Sequence, residues 1–270
     1  MLPAPSTQYR FLPSVPVQSA LACQTALGQR LGALGHVTPG HPVHVAAHNM
    51  QTSARKAMQQ SCITQEDRDG QAVRTFSTQA QASQKPRVAL AASSGTTVSQ
   101  VTRRLATLTR AILTRDGVMV ADKAWYGGQR IQDRHAPSGG AVLPPVKSSP
   151  PRQAACDAVP LEHDDQTVWG HVATRSTTMT DCDGPLRMLR KKRRHGQYVA
   201  LLTPACAMTA DTAMPTSPKR WRMEHFVAEN AFLGVNPLPS LNLNAIQTML
   251  SLRLLACHVV DTCRHALGPA

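Results

Sequence analysis

Apolar and polar positions along the chain fall into short runs of two different periods. AVRTFST at 72–78 and RVALAAS at 87–93 read as two strands, and the polar QAQASQKP between them reads as a turn. After Ser94-Gly95, residues Val98, Val101, Leu105, Leu108 and Ile112 recur at helical spacing. Thr96, Thr97 or Ser99 is placed to cap that helix, and Asp116-Gly117 ends it. VMVA at 118–121 is a short apolar run closed by Asp122, which predicts a buried strand. The order strand, strand, helix, strand predicts an α/β domain.

The flanks are less regular. Residues 37–48 would hold a short strand, weakened by Pro39, Gly40 and Pro42. VWGHVATR at 168–175 and YVALLT at 198–203 are further strand candidates, and 219–230 and 242–266 are predicted helices. Residues 1–35, rich in Pro, Gln, Ala and Gly, read as a flexible N-terminal arm, loose or partly helical, and 36–270 as one domain. Within it, 136–165 reads as an irregular insertion around LPPVKSSPP. His163, Asp164 and Asp165 are expected on a solvated loop.

Charge narrows the partners. The formal net charge is +13, and no Asp or Glu precedes Glu66, so polyanions are favoured, with nucleic acid ahead of acidic membrane. The seven cysteines form no C-x-x-C pair, which points away from a zinc site or a disulfide framework and suits a reducing, cytoplasmic setting. The N-terminus has four prolines within MLPAPSTQYRFLPSVPVQ and is a poor secretory signal. The most apolar window, 243–260, is interrupted by Asn244, Gln247, Arg253 and His258, and reads as a packed helix. No P-loop, HExxH or GxSxG motif is present. Asp181 and Asp183 begin like a calcium loop, but its twelfth position is Lys192.

Two carboxylates remain as candidate chemistry. Asp122 closes a strand in VMVADKAWYGG, where it would either hold a metal at the sheet edge or cap a turn. Glu224 shares a helix face with Arg220, four residues before it, among the aromatics Trp221, Phe226 and Phe232. VMVADKAWYGG, VWGHVATR and RWRMEHFVAENAFLGVNPLPSLNLNAIQ together resemble the catalytic domain of DDE transposases of bacterial insertion sequences. Within that family they resemble the branch with a Tyr-Arg-Glu-Lys signature. Arg220 and Glu224 match at the signature's spacing, while Ser217 and Ala231 stand where Tyr and Lys belong. Asp122 matches the second catalytic Asp, followed by Lys123, Ala124 and Trp125.

The resemblance covers roughly residues 40–265 and implies a ribonuclease-H-like fold, a mixed sheet flanked by helices. It implies DNA as partner, in the form of insertion-sequence ends, strand transfer by two protomers, and Mg²⁺ or Mn²⁺ held by Asp122 and Glu224. Two such ions activate the attacking oxygen and stabilise the leaving one. Arg220 would position a phosphate or orient Glu224. Trp125 or Tyr126 would stack near the DNA end, and Arg190, Lys191, Lys192, Arg193 and Arg194 would contact phosphates. The first catalytic Asp should precede the 72–78 strand, near His41 to His44, where the sequence has no carboxylate; Asp69 is a fallback on a turn. The expectation is therefore a degenerate, inactive transposase-like copy. The alternatives are a non-catalytic basic nucleic-acid-binding protein or a decayed reading frame whose product does not fold.

Overall fold

The computed structural model of the chain describes residues 11–34, 42–51, 60–63, 68–80, 86–93, 96–109, 117–138, 140–146, 163–167, 170–192, 198–204, 208–216 and 242–267. Helix α1 (Val17–Ala33) leads into a mixed sheet. Strand β1 (Val43–Gln51) pairs antiparallel with β3 (Arg68–Ala80), and β3 with β4 (Pro86–Ser93), while β2 (Gln60–Ile63) extends the first half of β3. Two further strands run parallel to β1. Helix α2 (Val98–Thr109) crosses from β4 to β5 (Val118–Val120), and α3 (Gly128–Ser138) from β5 to β6 (Ala141–Leu143). Parallel neighbours require such crossovers. A second, antiparallel sheet follows, in the order β10, β9, β8, β7, built from β7 (His163–Thr167), β8 (Gly170–Thr177), β9 (Leu186–Lys192) and β10 (Tyr198–Thr203). Residues after β6 join the sheets, with Val146 N donating to Ala200 O at 2.8 Å and Leu202 N to Pro144 O at 3.1 Å. Helices α4 (Ala210–Thr216) and α5 (Leu243–Leu267) complete the described chain.

Local chemistry explains these elements. Helix α2 begins at a reciprocal capping pair, in which Thr97 N donates to Gln100 Oε1 at 2.9 Å and Gln100 N to Thr97 Oγ1 at 3.3 Å. Its Val98, Val101 and Leu105 stripe packs on Phe76, Leu90, Met119 and Trp125. All three residues of β5 are buried, as fits a strand covered on both faces. Val118 and Val120 meet Leu143, Leu189 and Leu201, so the two sheets share one core. On the opposite side of β4, Ile246, Leu250 and Leu254 of α5 cover Ala89. This mixed sheet with flanking helices is consistent with the ribonuclease-H-like fold implied by the resemblance.

Among the described residues, strand β4 has a strand neighbour on one side only, so its outer N–H and C=O groups need other partners. Two glutamines supply them. Gln24 of α1 donates to Ala89 O at 2.8 Å and accepts from Ala89 N at 3.0 Å. Gln247 of α5 donates to the same Ala89 O at 2.8 Å and accepts from Ala91 N at 2.8 Å. Both glutamines are buried and take the place of a further strand.

Several expectations need correction. The segment expected as a loose or partly helical arm is helical over α1 and packed rather than loose: Ala20, Leu21 and Leu31 are buried, and Gln24 reaches both β4 and Ser251 of α5. Residues 136–165 are not irregular throughout: α3 runs to Ser138, β6 sits inside the sheet, and 163–167 form β7. His163, Asp164 and Asp165 therefore stand on a strand paired with β8, not on a loop. The basic run at 187–192 is a central strand of the second sheet. The helix expected at 219–230 lies outside the described residues.

Candidate functional site

Asp122 stands two residues beyond β5, at its carboxyl end. Its backbone is extended, and its Oδ1 accepts from Ala124 N at 2.7 Å, capping the 3-10 turn Lys123–Trp125. Trp125 N completes that turn by donating to Asp122 O at 3.1 Å. On the neighbouring strand, Val43 pairs with Met119 and His44 with Val120. Continuing this register by two residues sets Asp122 level with Ala46, and the pleat puts His44 and Ala46 on one face. His44 is fully enclosed, and Ala46 is 2% exposed. Strand β1 reads VHVAAHNMQ and contains no carboxylate.

That donor set does not fit a pair of divalent ions. Magnesium or manganese takes oxygen ligands, and a two-metal centre needs several carboxylates converging on one point. Beside Asp122 the adjacent strand offers alanine and an imidazole. No cluster of three His, Cys, Asp or Glu side chains placed to hold a metal exists among the described residues. Arg220 and Glu224 lie outside the described residues, as do His41, Arg193 and Arg194.

The aromatic pair after Asp122 belongs to the core side of the turn. Trp125 is 0% exposed, donates from Nε1 to Thr102 Oγ1 at 3.1 Å, and meets Phe76 edge to face with ring centroids 6.1 Å apart. A ring so enclosed has no face to offer a base, so the stacking role expected for Trp125 is corrected. Tyr126 is half-buried against the same cluster. Arg130 Nη1 ties the turn together by donating to Tyr126 O at 3.2 Å and to Ala124 O at 2.5 Å. Position 128 requires glycine, because a Cβ there would collide with the Thr180 carbonyl. The β8–β9 turn thus sits on the start of α3, where Gln132 donates to Asp183 Oδ2 at 3.0 Å. Burial, and secondly the charge of Asp183, push the Cys182 thiol above its usual pKa.

The phosphate-contact residues are only partly where the sequence suggested. Arg190 is 6% exposed, so it belongs to the interior of the second sheet and its expected phosphate contact is corrected. Lys191 is half-buried, and the Lys192 side chain lies outside the described residues. Sequence reasoning missed a charged group on α2 and α3. Asp133, nearly enclosed, accepts from Arg103 Nε at 2.8 Å and from Gln129 Nε2 at 3.0 Å. Next to it, burial lowers the Arg134 guanidinium to about 10, which leaves it cationic at neutral pH. The Gln129–Asp133 spacing of four residues was the available signal.

No protein-family model matches the chain, and no curated protein matches it. Among solved structures, the chain is similar to a piggyBac transposase seen in a synaptic complex with hairpin DNA. The TM-score is 0.50 at 11% identity, over 84% of this chain and 49% of that one. The chain thus spans about half the length of that transposase. At this identity the likeness is one of fold: the chain has a transposase-like α/β architecture.

Proposed function

We propose that the chain is a transposase-like DNA-binding protein that does not cleave DNA. The observation carrying this reading is the acid-free β1 beside Asp122, in a fold shared with a transposase. Hydrolysis of a phosphodiester by two metals needs carboxylates on both sides of the reacting phosphate. Here Asp122 is engaged as a turn cap, and the strand beside it carries Ala46. Binding requires less. A surplus of thirteen positive charges attracts the DNA backbone without any metal. The piggyBac transposase is seen with hairpin DNA, which supports DNA as the partner here. The matched Arg220 and Glu224 favour descent from the insertion-sequence branch with the Tyr-Arg-Glu-Lys signature. The contact to phosphates falls to Lys191 and Lys192 at the end of β9 and to Arg193 and Arg194, which follow them in sequence.

Fluorescence anisotropy of a labelled duplex, titrated at several salt concentrations, tests the binding. The expected result is association that weakens steeply with salt, by roughly one unit of log–log slope per phosphate neutralised. A chain that leaves the duplex free at low ionic strength would overturn the reading.

A further inference from the structure

We infer that the outward face of α5 is the surface through which two copies of this chain pair, antiparallel, about a two-fold axis near Val259. The N-terminal half of the helix is already used: Ile246, Leu250 and Leu254 pack against β4 and α1. Beyond it the helix carries a second apolar face that no other element among the described residues covers. Leu252, Ala256, Val259, Cys263 and Ala266 are all exposed and follow one another at steps of four, three, four and three. This is the spacing of a seam between two helices. Leu255, Val260 and Leu267 flank it and are also exposed. Of the seven exposed large hydrophobic side chains among the described residues, five lie on this helix. No charged residue interrupts the face over its length.

The seam is complementary to itself only when reversed. In an antiparallel pairing centred on Val259, Leu252 lies opposite Ala266 and Leu255 opposite Cys263, large against small. Val259 meets its own copy on the axis. Such reciprocity is what a two-fold interface demands. The half-exposed side chains offer on the order of 500 Å² per copy, or about 1,000 Å² for the pair, the threshold for a specific interface. The +13 charge on each copy opposes approach, so pairing should strengthen as salt screens that repulsion.

Sedimentation of the full chain tests the proposal. At tens of micromolar and moderate salt, the wild type should sediment at twice the mass of the chain. Val259→Asp should sediment as a monomer while keeping the wild-type circular dichroism, because Val259 is 53% exposed and outside the core. Leu255→Cys should form an intermolecular disulfide with Cys263 of the partner subunit on mild oxidation, a link that only the antiparallel register allows. A monomeric wild type, a dimer indifferent to Val259→Asp, or a link joining Cys263 to its own copy would overturn the inference. So would a chain that stays monomeric and partitions onto phosphatidylcholine vesicles, since Leu243–Val260 is also long and apolar enough to cross a membrane.

Discussion

Asp122→Asn and Asp122→Ala distinguish a turn cap from a metal ligand. Asparagine keeps the oxygen that accepts from Ala124 N at 2.7 Å, whereas alanine removes it. Loss of a side-chain cap costs about 1 kcal/mol, within a range of roughly 0.5–2. In a chain of this size that lowers the melting temperature by about 2–4 °C. Asp122→Asn should therefore melt within about 1 °C of wild type, well inside that interval, and Asp122→Ala measurably below both. A ligand role gives a different pattern. An ion at a hundred times its dissociation constant stabilises the folded state by about 2.7 kcal/mol, and Asp122→Asn would forfeit most of it. Thermal melts followed by circular dichroism, with and without millimolar Mn²⁺, read both effects. No Mn²⁺-dependent gain is expected in either wild type or variant. A gain of several degrees in wild type that Asp122→Asn abolishes would refute the reasoning and restore Asp122 as a ligand.

Three other outcomes follow from the same geometry. Gln24→Leu orphans Ala89 N–H and Gln247→Leu orphans Ala91 N–H, each costing about 1–3 kcal/mol in urea denaturation. Only the double variant also strips Ala89 O of both donors, so its loss should exceed the sum of the single losses, and simple additivity would contradict the edge-capping role. Ala46→Asp places a carboxylate level with Asp122 in an enclosed position and should destabilise by about 3 kcal/mol or more. Mn²⁺ should restore part of that loss, and indifference to Mn²⁺ would show that the two positions do not converge. A raised pKa leaves less thiolate at pH 8, so Cys182 should alkylate with iodoacetamide more slowly than the exposed Cys23 and Cys263, as mass spectrometry of timed digests would show.

The parts of the fold legible in the sequence are those with a strong period or a continuous apolar run. The α2 stripe of Val98, Val101 and Leu105, the apolar VMV of β5 and the full extent of β10 were all readable, because burial writes itself into spacing there. Helix α3 was hidden because its inner face includes Asp133 and Arg134 beside Ile131, so two of its buried side chains look like surface. Strand β9 was hidden because its basic residues alternate with Leu186, Met188 and Leu189, and the charge run masked the strand. Gln24 fell within the expected arm, and Gln247 was legible only as a polar interruption of a packed helix. Their role exists only once β4 is an edge and two helices distant in sequence meet it. For the site, the sequence located the strand-end Asp122 and the missing acid upstream. What it could not supply was the parallel register that puts Ala46 and His44 beside Asp122.

Incubation of end-labelled linear and hairpin DNA with the purified chain and Mn²⁺, resolved on a denaturing gel, tests whether the chain binds DNA without cutting it. The expected result is DNA that is bound at low salt and recovered uncut, with the same outcome for Asp122→Asn. Nicked or joined products that appear with Mn²⁺ and vanish in Asp122→Asn would contradict it.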